Sequence, residues 1–139
     1  SDADVLLHAL MDALLGAVGS GDIGTHFPDN DPKYKNISSL KLLTKVNEEV
    51  KQKKFVINNC DLVVIAEKPK LKPYRSQIVA SIAENLNIAK RDVNFKATTN
   101  EKMGFTGRGE GMAAYAVVSV VEKKLWQFLR DLNSEGSIK

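Results

Sequence analysis

The chain has 139 residues, of which 43% are hydrophobic and 27% charged, a composition typical of one globular domain with its own core. Its formal charge of +3 is too small, and its lysines too well mixed with acidic residues, to predict nucleic-acid binding. A single cysteine excludes an internal disulfide framework. No apolar run is long enough to span a membrane, and no signal peptide is evident, so neither a membrane partner nor secretion is predicted.

The first half of the chain is predicted to be mainly helical. Apolar residues at helical spacing run from Val5 to Ala17, and Ser1 is a candidate cap for this helix. A loop rich in glycine, proline and aspartate, residues 19–35, separates it from a second amphipathic helix that begins after Ser38. Because a domain seldom starts directly with a buried helix, we expect further sequence ahead of Ser1 in the full protein.

The second half alternates strands with a helix. Continuous apolar residues predict a buried strand over 55–66, alternation predicts a short strand over 92–97, and β-branched residues predict a long strand over 113–121. A third helix is expected over 74–86, and residues 124–139 are expected to form a helical tail. The order of these elements predicts a single α/β (α+β) domain with helices on one face of a small mixed sheet.

The stretch between the last two predicted strands, residues 98–111, carries the strongest chemical signal. We call it the glycine-rich loop, because it contains four glycines together with three threonines. Repeated glycines let backbone N–H groups approach an anion closely, and threonine hydroxyls donate beside them. Glu101 offers an oxygen ligand for a divalent cation, and Arg108 offers a forked donor for phosphate. On these residues alone, an ordinary turn remains the alternative to a phosphate site.

His8 is a candidate metal ligand on the first helix. It shares one helix face with Asp4 and Asp12, which lie four residues before and after it. A carboxylate beside an imidazole orients a metal-binding histidine, and the same pattern also forms a local ion pair.

Two sets of charged loop residues also have two interpretations. The aspartates of residues 19–35 suit turns, but they could accept hydrogen bonds from sugar hydroxyls or bind a cation. The lysines beside two prolines could bind phosphate or lie in solvent. These residues are Asp22, Asp29, Asp31, Lys68, Lys70 and Lys72.

Four segments in this order resemble one known family. They are residues 1–16 (SDADVLLHALMDALLG), 22–29 (DIGTHFPD), 96–99 (KATT) and 101–111 (EKMGFTGRGEG). Together they resemble the 2-C-methyl-D-erythritol 2,4-cyclodiphosphate synthase family of the non-mevalonate isoprenoid pathway. The resemblance continues to about Lys123, so residues 1–139 are expected to form one synthase domain followed by the helical tail.

The resemblance implies a phosphorus–oxygen lyase. Its reaction converts 4-diphosphocytidyl-2-C-methyl-D-erythritol 2-phosphate into 2-C-methyl-D-erythritol 2,4-cyclodiphosphate, with release of CMP, by metal-assisted intramolecular phosphoryl transfer. A non-catalytic trimeric protein that binds a cytidine nucleotide or an isoprenoid diphosphate is the alternative hypothesis.

The resemblance also implies roles for individual residues. His8 corresponds to one of three zinc ligands, Thr99 to the catalytic threonine, and Glu101 to a ligand of a second cation, magnesium or manganese. The implied substrate-binding residues are Ser1, Asp22, Ile23, Gly24, Phe27, Pro28, Asp29, Asn30, Asp31, Ala66, Glu67, Lys68, Pro69, Lys70, Leu71, Lys72, Thr98, Thr99, Asn100, Glu101, Phe105 and Arg108.

Three regions divide this substrate between them in the implied site. Residues 22–31 would hold the methylerythritol hydroxyls, residues 66–72 would enclose the cytosine and ribose, and residues 98–101 would hold phosphate. We call residues 66–72 the proline loop. Ser1 would touch a substrate phosphate.

The resemblance finally implies an assembly and a location. The family forms homotrimers whose sheets face the threefold axis and whose active sites lie between subunits. The implied location is the cytoplasm in a bacterium or the plastid in a eukaryote. This sequence contains no Asp-x-His, the family motif that provides the other two zinc ligands. We therefore expect the N-terminal strand and hairpin to be missing from this chain, with a degenerate natural copy as the alternative.

Overall fold

The computed structural model describes residues 4–68 and 70–135. The predicted roles of Ser1 and Pro69 therefore fall outside the described residues. The helices and strands are α1 (Asp4–Ala17), α2 (Ile23–His26), α3 (Ser39–Gln52), β1 (Phe55–Ile65), α4 (Arg75–Leu86), β2 (Val93–Thr98), α5 (Gly104–Gly107), β3 (Ala113–Glu122) and α6 (Lys123–Ser134).

The three strands form one mixed sheet in the order β2-β1-β3. β1 runs parallel to β2, and the last pair of this register is Ile65 with Thr98. β1 runs antiparallel to β3, from Phe55 opposite Glu122 to Ile65 opposite Ala113. The predicted mixed sheet is thus confirmed. Because β1 and β2 are parallel, the proline loop and the glycine-rich loop leave the sheet side by side at the same edge.

Helices α1, α3 and α4 build one core against one face of the sheet, as predicted. Leu10 and Leu14 of α1, Val46 of α3, Ile82 of α4 and Leu62 of β1 are all 1% exposed or less. The periodic apolar residues of each helix point toward the sheet, which is why the hydrophobic pattern located these elements correctly.

Cys60 belongs to this core. The thiol is free and buried, and its burial, together with the nearby charge of Asp92, raises its pKa to about 12. The side chain therefore stays a neutral thiol near neutral pH and packs as a small apolar group.

The opposite face of the sheet carries exposed residues. Tyr115 and Val117 of β3 are 61% and 71% exposed. Asp61 of β1 accepts hydrogen bonds from Asn94 at 3.0 Å and from Lys96 at 2.9 Å. These two contacts lower the pKa of Asp61, with the Asn94 hydrogen bond as the larger cause. One face of the sheet thus lacks a covering layer within the described chain.

The predicted loop over 19–35 contains more regular structure than the sequence suggested. Asp22 caps α2 by accepting the backbone N–H of Thr25 at 2.8 Å, and Asp31 caps a 3-10 turn (Pro32–Tyr34) by accepting the N–H of Lys33 at 2.9 Å. Both elements are too short to show an apolar period, which is why periodicity missed them.

Helix α6 lies where the helical tail was predicted; it begins at Lys123, one residue earlier than the predicted start, and follows β3 without a loop. Its last four predicted residues, 136–139, lie outside the described residues. No helix among the residues described is long and apolar enough to cross a bilayer.

Candidate active site

A cavity of about 230 Å³ opens where β1 and β2 end. This edge, beyond the carboxyl ends of parallel strands, is where open α/β sheets commonly bind ligands. Ala97 of β2 and Ala66, directly after β1, are among the lining residues, and their small side chains leave this space open. The lining residues are Val64, Ala66, Lys70, Leu71, Lys72, Ala97, Thr98 and Thr99.

The cavity brings together two segments that the sequence assigned to one substrate. Lys70, Leu71 and Lys72 of the proline loop face Thr98 and Thr99 of the glycine-rich loop across it. Two lysines and two threonines among the lining residues favour a phosphorylated ligand, while Ala66, Ala97 and Val64 provide apolar lining.

The glycine-rich loop is held by its own hydrogen bonds. Asn100 donates from Nδ2 to Thr106 Oγ1 at 3.1 Å, and its carbonyl accepts the N–H of Met103 at 2.9 Å. Between them, Glu101 and Lys102 adopt φ values of 55° and 63°, in the left-handed region that non-glycine residues enter at a cost. This turn projects Glu101 into solvent beside Thr99, whose Oγ1 lies 3.5 Å from the Glu101 nitrogen.

Gly107 lets the loop close on itself. A methyl group built on Gly107 would lie 2.3 Å from the carbonyl carbon of Lys102 and 2.7 Å from its Cα. Both are backbone atoms, so no side-chain movement could relieve the contact. Glycine is therefore required at this position by close backbone approach rather than by its conformation.

Glu67 connects the two loops that border the cavity. Its Oε1 accepts the backbone N–H of Lys102 at 3.0 Å, across 35 residues of sequence. Its Oε2 is buried and has no hydrogen-bond partner among the described residues. Sequence reasoning placed Glu67 among the residues around the cytosine and missed this link, because no local pattern reports a contact that depends on the β1–β2 register.

Loss of the Glu67 carboxylate should loosen the turn at Lys102. We expect Glu67→Ala to speed hydrogen exchange of the Lys102 amide about tenfold, since a hydrogen bond to a charged acceptor is worth roughly 1.5–3 kcal/mol. Glu67→Gln keeps an acceptor oxygen in the same place and should stay close to the wild type. NMR exchange rates measure both, and equal rates for Glu67→Ala and the wild type would contradict the link.

The predicted hydroxyl-binding region lies apart from this cavity in a single chain. None of residues 22–31, all of which the structure describes, lines the cavity. Hydrogen bonds from the Thr25 backbone N–H, and then from its hydroxyl, lower the pKa of Asp22, which therefore stays ionised near neutral pH. Phe27 packs edge-on against Tyr34 at 5.1 Å between ring centroids, while Asp29 and Asn30 are exposed.

His8 is exposed on α1. Asp12, predicted to share a helix face with His8, accepts the backbone N–H of Ile23 through Oδ1 at 2.9 Å and ties α1 to α2. Among the described residues, no three His, Cys, Asp or Glu side chains come together to hold a metal ion. The described residues therefore do not complete a zinc site around His8, since a catalytic site needs three protein ligands.

Three further predicted residues do not line the cavity. Arg108 forms a two-point ion pair with Glu110, at 2.8 and 3.1 Å, with both side chains more than half exposed. Phe105 is 53% exposed and lies next to Gly111. Lys68 is exposed at the start of the proline loop.

Comparison with known proteins agrees with this geometry. The model of the YgbB family matches residues 1–121. The 2-C-methyl-D-erythritol 2,4-cyclodiphosphate synthase of Agathobacter rectalis is 60% identical over 120 residues, which cover 86% of this chain and 68% of that protein. The synthase of Desulforamulus reducens is 57% identical over 120 residues, covering 86% and 76%.

Solved structures show the same fold. A structure of the bifunctional IspDF from Campylobacter jejuni has a TM-score of 0.82 and 44% identity, covering 89% of this chain and 34% of that one. A CDP complex of IspF from Plasmodium falciparum has a TM-score of 0.77 and 34% identity, covering 88% and 74%. These relatives support the synthase hypothesis over a non-catalytic binding protein. The chain belongs to the YgbB family of 2-C-methyl-D-erythritol 2,4-cyclodiphosphate synthases.

Proposed function

We propose that the cavity between the proline loop and the glycine-rich loop holds the cytidine diphosphate end of the substrate. The chain is a cyclodiphosphate synthase, a lyase that forms 2-C-methyl-D-erythritol 2,4-cyclodiphosphate and CMP. The observation that carries the assignment is the meeting of Lys70, Lys72 and Thr99 around one opening. The CDP complex of the Plasmodium falciparum relative supports a cytidine nucleotide as the ligand.

The reaction needs positioning and charge stabilisation, but no covalent enzyme intermediate. An oxygen of the substrate's 2-phosphate attacks the β-phosphorus, the bond from that phosphorus to the bridging oxygen breaks, and CMP leaves with the bonding electron pair. Thr99 donates a hydrogen bond to a phosphate oxygen, and Lys70 and Lys72 offset the negative charge that CMP carries away. The Glu67–Lys102 hydrogen bond keeps the two loops at a fixed separation.

Glu101 is the proposed ligand of magnesium or manganese. Mg²⁺ commonly uses one or two protein carboxylates and takes its other ligands from water and substrate phosphates, so the single exposed carboxylate of Glu101, two residues after Thr99, fits it. A bound cation would neutralise charge on the diphosphate. His8 remains the proposed zinc ligand, but only alongside ligands from outside the described residues, and no step here depends on zinc.

Filling the cavity tests this assignment. Ala97→Leu places a larger side chain on the cavity floor and should weaken CDP binding by about tenfold or more, because the ligand and the added atoms need the same space. Ala89→Leu is the matched control, since Ala89 is exposed ahead of β2, at the opposite end of that strand. Calorimetric titration with CDP measures both, and equal affinities for the two variants would contradict the assignment.

We further propose that the protein is a homotrimer with shared active sites. Tyr115 and Val117 expose an apolar patch on the uncovered face of the sheet, and His8 does not line the cavity that holds Thr99. Both observations suit sites completed by a neighbouring subunit. Sedimentation should give a mass that is a multiple of three chains, whereas a monomer at micromolar concentration would contradict the trimer.

A further inference from the structure

Helix α6 has an apolar stripe that the rest of the described chain leaves uncovered. None of its residues is buried. Leu125, Phe128 and Leu129 are 51%, 57% and 44% exposed, and helical spacing places Leu132 on the same side. Trp126 lies outside this stripe, where the guanidinium of Arg130 stacks over its ring at 4.5 Å from the centroid. Such a stripe on a helix indicates a partner.

The synthase site does not account for this helix. The family match ends at residue 121, before α6 begins at Lys123. Glu122, at the end of β3, pairs with Phe55 at the start of β1, whereas the cavity opens at the other end of β1. A partner on α6 would therefore leave the cavity accessible.

The charges beside the stripe are complementary to those of a second copy. Lys124 and Asp131 are seven residues apart, so they lie on the same flank of the stripe, two turns from each other. In an antiparallel pair of identical helices, residues of one flank face residues of the same flank on the partner. If the two-fold axis of such a pair passes near Phe128, each Lys124 lies opposite the partner's Asp131. Two symmetric ion pairs then form.

The surface along this flank is open. A groove of about 680 Å³ runs beside α6. It is lined by Phe128, Asp131 and Lys124 together with Lys54, Lys123 and Gln127. The phenyl ring of Phe128 therefore has space in which to receive an apolar side chain from another helix.

We propose that α6 pairs antiparallel with α6 of a second copy of this chain. The apolar stripes pack against each other, with Phe128 at the two-fold axis, and Lys124 pairs with the partner's Asp131 at both ends. A lipid surface is the competing occupant, because Lys54, Lys123 and Lys124 line the same groove and would also attract anionic headgroups. The seven-residue spacing of Lys124 and Asp131 favours a second copy, since only an antiparallel copy gives Asp131 a basic partner.

Sedimentation equilibrium of the full chain and its variants tests the pairing. The wild type should have about twice the mass of Leu129→Glu, which puts a charge in the stripe of a helix that contributes nothing to the core. Lys124→Glu and Asp131→Lys should each weaken the association at low salt, and the double variant should restore it. Lys90→Glu makes the same change of charge at an exposed residue outside α6 that does not line this groove, and it should keep the wild-type mass.

Several results would overturn the proposal. Equal masses for the wild type and Leu129→Glu would exclude pairing through the stripe. Failure of the double variant to restore mass, or an equal loss in Lys90→Glu, would exclude the antiparallel charge match. Binding of the wild type to phosphatidylglycerol vesicles that Leu129→Glu abolishes, with no change in mass, would assign the stripe to a lipid surface instead. None of these readouts depends on catalysis, so they stand whatever the synthase assays give.

Discussion

Gly107→Ala is expected to lower the rate of CMP release by about a hundredfold, because a displacement of about 1 Å near a reacting group can cost that much. The added methyl group would meet the Lys102 carbonyl carbon at 2.3 Å, so the backbone on one side of the turn must move. That movement shifts Glu101, which precedes Lys102, and pulls the Lys102 N–H away from Glu67. CMP release under saturating substrate measures the effect.

Gly111→Ala is the matched control for this change. The added methyl group would touch the Phe105 ring at 3.6 Å, an ordinary van der Waals contact. We expect this variant to release CMP at a rate near that of the wild type, with the same melting temperature. A comparable fall in the rate of CMP release in both variants would show that alanine is unfavourable throughout this loop. It would contradict a specific role for the Gly107–Lys102 contact.

Glu101→Gln is expected to leave folding intact and to reduce turnover by about two orders of magnitude, a loss typical of removing one group that stabilises transition-state charge. The side chain is exposed and makes no core contact, and glutamine keeps its size at the same φ of 55°. The amide loses the negative charge that a divalent cation needs. Paramagnetic relaxation of water measures the binding of Mn²⁺ in the presence of CDP. The Mn²⁺ affinity and the rate of CMP release should both fall in this variant.

Glu84→Gln provides the comparison for Glu101→Gln. Glu84 is exposed on α4, outside both loops of the cavity, so the same change of charge should leave Mn²⁺ binding and turnover unaltered. A fall in melting temperature that matches the fall in activity of Glu101→Gln would instead indicate a structural role for the carboxylate.

The larger elements of the fold could be predicted because each has one strong local cause. Leu43, Val46 and Val50 recur at helical spacing and are all buried, and Ser38 begins their helix by accepting the N–H of Lys41 at 3.2 Å. The apolar run of β1 predicted a strand buried in the middle of the sheet, where the structure places it. Short elements such as α2 were missed, because a single cap residue gives no periodic signal.

The site was only partly predictable, for a different reason. Family resemblance identified Thr99 and the proline loop, and the structure places both at one cavity. The Glu67–Lys102 hydrogen bond and the packing of Gly107 on Lys102 depend on how two loops leave parallel strands, which the Ile65–Thr98 register decides. No sequence pattern encodes that register directly, so these two contacts cannot be predicted from the sequence.

Analysis of the reaction products tests the synthase function most directly. Incubation of the full protein with 4-diphosphocytidyl-2-C-methyl-D-erythritol 2-phosphate, Mg²⁺ and Zn²⁺ should yield CMP by chromatography and a cyclic diphosphate by phosphorus NMR, in equal amounts. The Ala97→Leu variant, whose cavity is filled, should form both CMP and the cyclic diphosphate more slowly than the wild type. CDP binding by the wild type without any ring product, or CMP release accompanied by a linear phosphate, would contradict ring closure at this cavity.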